Sequence, residues 1–146
     1  MTFMRATVAL LVLLAGQVEA KEAAGKVRIV TAVEVNGVWE NSEGNQEFKV
    51  LALGQQRLRV EFFGTWVGSS AGANIGEATG IARIEGATAV FKPKDTISCT
   101  FTLKFQDGLM KVSQEGDSAA CGFGMNVSAE GIYRKTQAGK PKFAQE

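Results

Sequence analysis

The sequence predicts an all-β protein, one antiparallel meander of about eight strands closed into a small lipocalin-like barrel, with a two-sheet sandwich as the alternative. Three observations carry that prediction. Beyond Lys21, apolar and polar residues alternate, and no stretch sustains a 3.6-residue apolar period. Turn signals separate the apolar runs, "NG" at 36–37 and "DG" at 107–108 among them. The roughly 126 residues after the leader can bury one real core but are too few for two. Closing the sheet also removes both of its exposed edges.

The leader is "MTFMRATVALLVLLAGQVEA" (1–20). Arg5 supplies its positive start, an apolar run extends from Ala6 to Ala15, and Val18 and Ala20 stand three and one residues before the expected cut. About ten apolar residues fall short of the roughly twenty that span a bilayer, so this reads as a cleaved bacterial secretory signal. "LLAGQ" (13–17) resembles a lipoprotein signal, but Gln17 occupies the place of the lipidated cysteine. The expected organisation is therefore a signal peptide over 1–20, a β-barrel over 21–136 and a flexible basic tail over 137–146. The mature protein is expected to be periplasmic or secreted, unlipidated and without stable membrane insertion.

The strands follow in order. "VRIVTAVEV" (27–35) alternates and precedes the "NG" turn; "QEFKVLAL" (46–53), "RLRVEFFGTWV" (57–67), "EATGIARIE" (77–85) and "ATAVFK" (87–92) come next. "TISCTFTLKF" (96–105) puts Ile97, Cys99, Phe101, Leu103 and Phe105 on one face. "LMKVSQE" (109–115) and "NVSAEGIYRK" (126–135) complete the eight. The only cysteines, Cys99 and Cys121, read as one disulfide in an exported chain. With "DG" as a two-residue turn, Gln106 faces Leu109 and Cys99 faces Gly116, which leaves Cys121 within reach of a bridge.

"GTWVGSSAGANIGEATG" (64–80) repeats glycine at every fourth position. It carries Ser69, Ser70, Asn74 and Glu77, which rules out a membrane-helix zipper, and it lacks the G-K-[ST] of a phosphate loop. In a strand an even period puts all these glycines on one face. A hairpin turning near Gly72 would set Trp66 against Ala78 and Phe62 against Ala82, with "SSAGANI" as a mobile tip. On that reading Trp66 is buried, and the glycines clear space for its indole and bend the sheet.

The chemistry available is thin. The chain has no histidine, which removes the usual triads, histidine zinc sites and the commonest acid–base group near neutral pH. Scattered carboxylates remain, and no spacing marks two of them as a glycosidase-like pair. The net charge of +1 offers no field for nucleic acid. The sequence therefore calls for no enzyme, metal, cofactor or nucleic-acid partner. "NVS" (126–128) fits a glycosylation pattern that a bacterial protein would not use. Trp39, in the polar stretch "NGVWENSEGN", either caps the core or anchors a contact. The candidate binding residues are Trp66, Trp39, Ser69, Ser70 and Asn74.

"NIGEATGIA" (74–82), "CTFTLKF" (99–105), "VSQEG" (112–116), "CGFGMNV" (121–127) and "GIY" (131–133) together resemble a group of small exported bacterial β-proteins, some of them lysozyme-inhibitor-like. The resemblance covers about residues 74–133 and carries over no functional residue, since its positions are cysteines, glycines and core aromatics. It implies a protein partner in the periplasm or outside the cell, such as a cell-wall hydrolase that the protein inhibits or occupies. The alternative is a carrier of a small apolar ligand in the barrel interior, walled by Phe62 and Trp66.

Overall fold

The computed structural model describes residues 27–69, 72–96 and 98–144; the expected leader, Ser70 and Ile97 lie outside the described residues. One sheet closes on itself in strand order: β1 (Gly37–Asn41), β2 (Gln46–Gly54), β3 (Arg57–Val67), β4 (Ala73–Glu85), β5 (Thr88–Phe91), β6 (Thr100–Gln106), β7 (Leu109–Glu115) and β8 (Gly131–Ala138). Every neighbouring pair is antiparallel, and β8 returns to β1. The barrel, not the sandwich, is the architecture.

Alternation decides what fills it. Along β3, Leu58, Val60 and Phe62 point inward; along β6, Phe101, Leu103 and Phe105 do so. The axis is occupied by aromatic rings: Phe48 lies 4.8 Å from Phe62 and 5.0 Å from Tyr133, and Phe91 lies 5.5 Å from Phe101. Ala78, Ala82 and Ala89 supply the small positions between them. The Tyr133 hydroxyl donates to the Ala129 carbonyl at 2.7 Å and lies equally close to the Gln46 amide oxygen. Burial pushes its pKa well above the ordinary phenol value.

The first expected strand is not one. Residues 27–31 are extended but unladdered, and α1 (Ala32–Val35) follows as a single helical turn. A capping box makes that turn: the Thr31 hydroxyl accepts from the Glu34 amide while Glu34 accepts from the Thr31 amide at 2.7 Å. This segment lies across one mouth of the barrel, with the Val30 amide bonded to Gly86 and Arg28 to the Phe105 carbonyl. Val30 and Val35 pack inward; Val27, Ile29 and Val33 stay outside. The missing eighth strand is β1, in the stretch that looked like a polar turn. Trp39 in β1 is 1% exposed, so it caps the core and is not a contact anchor.

The Thr31 amide and then the Thr31 hydroxyl hold the Glu34 pKa below its ordinary 4.5, and Arg28 adds to the effect. A carboxylate whose pKa is lowered by folding stabilises the fold above its unfolded pKa and loses that contribution as pH falls through the folded value. Glu34→Gln should therefore lower stability at neutral pH, with a gap that closes below pH 4.5. Denaturant melts at both pH values check this.

The β3–β4 register also departs from expectation. Val67 pairs with Ala73, so the hairpin turns two residues short of Gly72. Phe62 faces Ala78 and Leu58 faces Ala82, while Trp66 faces Asn74 and is 39% exposed. Trp66 is thus neither buried nor packed on Ala78. The shift is even, so each side chain keeps its expected face. The glycines do provide clearance, for the Trp66 indole at Gly68 and for other side chains at Gly64 and Gly76. A Cβ at Gly64 would lie 2.6 Å from the Phe62 ring, and one at Gly76 would lie 2.7 Å from Val127 and 2.8 Å from Phe123.

The chain after β7 closes the second mouth. Residues 117–123 turn on themselves, with Cys121 N donating to the Asp117 carbonyl and Phe123 N to that of Ser118. Phe123 stacks on Phe101 at 6.0 Å and meets Phe62 at 5.3 Å. The Cys99–Cys121 disulfide, with Cα atoms 4.8 Å apart, ties this plug to the start of β6. Gln106 does face Leu109, and the backbone of Gly116 lies beside Cys99. The tail expected over 137–146 begins inside β8. Its described remainder lies on β3, where Phe143 is buried under the Arg59 guanidinium and Ala144 N donates to Glu61.

Candidate functional site

The plug end gathers most of the sequence candidates. β3 and β4 run beyond the barrel wall and carry Trp66, Ser69 and Asn74 to one protruding tip. Ser70 belongs to the same segment in sequence and lies outside the described residues. Trp39 sits at the opposite mouth and is not brought together with them.

Two hydrogen bonds fasten the tip to the plug. Gly124 N donates to the Ile75 carbonyl and the Asn74 side-chain amide to the Met125 carbonyl, both at 2.8 Å. The close fit needs glycine, since a Cβ at Gly124 would lie 2.9 Å from Asn74 Cβ and 3.0 Å from Ile75 N. Asn74 is therefore first a tether. Trp66 lies over Gly68, where a Cβ would be 2.7 Å from the indole. One face of the ring is held and the rest meets solvent.

The tip also exposes apolar residues that the sequence reading missed. Val67 is 72% exposed, Met125 is 73% exposed, and Ile75 and Phe63 are also outside. Ile75 faces Thr65 across the hairpin, so Phe63 and Val67 are its diagonal neighbours on the same face. These positions were open to inference: if the even residues of β3 fill the barrel, the odd ones face water. Isolated exposed apolar residues are ordinary, but Phe63, Val67 and Ile75 form a contiguous patch on the outer face of the hairpin, while Trp66 and Asn74 lie on its other face.

A second feature lies on the outer wall of β2–β4. An open groove of about 910 Å³ is lined by Glu47, Lys49, Glu61, Glu77, Lys94 and Asp95. Lys49 bridges Glu61 at 3.0 Å and Glu47 at 3.6 Å. Burial alone would lower the Lys49 pKa, but the hydrogen bond and charge of Glu61, then Glu47, outweigh it and raise the amine above the usual lysine value. Glu61 also accepts from Ala144 N. The groove thus holds an ion-pair network across which the C-terminal stretch is fastened. No protein-family model, curated protein or solved structure matches the chain.

Proposed function

We propose that the protein is an exported, non-enzymatic binding protein that engages a protein partner through the β3–β4 tip and the plug. The carrying observation is a tethered tip that leaves Trp66 39% exposed on one face of the hairpin and Val67 and Ile75 exposed on the other, with Met125 exposed where Asn74 holds the plug. Tryptophan is among the residues most often dominant in binding, and a pre-ordered surface loses less entropy on association. The disulfide suggests an oxidising, extracytoplasmic environment, and the leader pattern of residues 1–20 supports export. Inhibition or occupation of a cell-wall hydrolase such as lysozyme is the partner class that the sequence resemblance favours. The aromatic packing along the axis speaks against carriage of a ligand inside the barrel.

The test pairs capture from periplasmic extract with lysozyme inhibition assays, using wild type and Trp66→Ala. The variant should keep stability within about 0.5 kcal/mol, as surface changes usually do, and lose binding by about 2 kcal/mol or more, as hot-spot truncations do. Absence of a partner and of inhibition across lysozyme classes would count against the reading, as would a variant that binds like wild type.

A further inference from the structure

The opposite end of the barrel has a different surface chemistry. The α1 segment covers that mouth, and on its outer side Val27, Ile29 and Val33 are 73%, 78% and 82% exposed. Val33 belongs to a capped helical turn whose inner residue, Val35, is buried, so its outward direction is fixed by the fold. Three aliphatic side chains thus project from a braced platform into solvent.

Basic residues surround that platform. Lys104 and Lys111 stand directly opposite each other on β6 and β7, and Arg57 and Arg83 on β3 and β4; all four are exposed. Like charges directly opposite across two strands destabilise a sheet. Neither Lys104 nor Lys111 has an ion pair among the described residues. The acids at this end are few and mostly engaged: Glu34 pairs with Arg28 and Glu85 with Arg83, which leaves Asp107 in its turn. The plug-end rim is the reverse, with Glu43, Glu115, Asp117 and Glu130 exposed there. A chain of net charge +1 is thereby polarised along the barrel axis.

We propose that the α1 end docks on an anionic phospholipid surface, with Val27, Ile29 and Val33 set into the interface and the basic rim against the headgroups. Apolar projections ringed by lysine and arginine suit that boundary, where hydrocarbon burial and attraction to anionic lipid act together. The docking is peripheral, leaves the tip facing away from the bilayer, and does not depend on what the tip binds.

Co-sedimentation of the protein as exported by its host, with its N-terminus read by mass spectrometry, provides the test. Vesicles mix phosphatidylglycerol with phosphatidylcholine, or contain phosphatidylcholine alone. Wild type should sediment with the anionic vesicles at low salt and be released at high salt, where screening shortens to about 3 Å. Val33→Asp and the double variant Lys104→Glu/Lys111→Glu should each weaken binding at least about tenfold. Val67→Asp, at the far end, should bind like wild type, and unchanged circular dichroism should accompany all three. Equal binding to neutral vesicles, no binding to anionic ones, or a loss seen only with Val67→Asp overturns the proposal. So does binding to soluble polyphosphate that competes with vesicles and survives Val33→Asp, since that describes a polyanion site in which the aliphatic residues take no part.

Discussion

Trp39→Ala is expected to destabilise the protein by about 3–5 kcal/mol, the range for emptying a fully enclosed aromatic site. The indole is 1% exposed, meets Phe105 edge-on at 5.6 Å and carries the Lys135 ammonium 4.8 Å from its ring centroid. Its ring nitrogen donates to the Val35 carbonyl at 3.0 Å, which binds α1 to the barrel mouth. Truncation therefore opens a cavity and releases the covering segment together. Trp39→Phe keeps most of the volume but loses the hydrogen bond, and should cost about 1 kcal/mol from that bond. Urea melts of both variants give the two numbers. A Trp39→Ala cost under about 1 kcal/mol would mean that the mouth collapses around the gap.

Replacing both cysteines, Cys99→Ala with Cys121→Ala, is expected to cost about 3 kcal/mol, from the loop-closure entropy of a 22-residue separation. The loss has a location. Without the bridge, the plug depends on Phe123 against Phe62 and Phe101 and on the Ser118 hydroxyl donating to the Val127 carbonyl at 2.7 Å. Hydrogen exchange should rise first in residues 116–130, before the amides of β2 and β3 respond. Melting curves measure the total, and exchange mapped by mass spectrometry shows whether the plug opens ahead of the barrel. Two free thiols in the wild-type protein would remove the basis of this expectation.

The barrel was legible because its strands obey a simple rule: one residue in, the next out, with glycine-bearing turns between. β6 is the clearest case, and Phe101, Leu103 and Phe105 point where their alternation puts them. Residues 27–35 misled for a physical reason. Val27, Ile29 and Val33 form the visible alternation, yet they are the residues left outside, while Val30 and Val35 do the packing. The signature of the helical turn was present as Thr31-x-x-Glu34 and is a local hydrogen-bond pattern that hydropathy does not register. Trp39 was obscured by its neighbours, since a single buried indole within a polar run carries no period.

The hairpin shows the limit of turn reading. Gly72 has the positive φ that glycine favours, but it follows the turn's midpoint and does not mark it. The even slip kept every face and changed every partner, so the barrel interior survived the error while the environment of Trp66 did not. The site was legible only as far as the faces were: Trp66, Ser69 and Asn74 share a tip because they are close in sequence. Met125 reaches them through a plug whose path depends on long-range contacts with Asn74 and Ile75.

The pairing of β8 with β1 sets the order in which the molecule can be finished. β1 finds one neighbour almost at once, since β2 starts five residues after it ends. Its other neighbour is the last strand of the chain, about a hundred residues away by the Lys135 contacts with Val33 and Glu34. A partly folded sheet carries two unpaired edges, β1 and whichever strand has most recently joined, until Gly131–Ala138 pairs with β1. Unpaired edges are where chains recruit each other, and a contact this distant in sequence is slow to form. Until that last pairing forms, the sheet is an open ribbon that invites a second copy, and the final eight residues of sheet convert it into an object with no edge to offer.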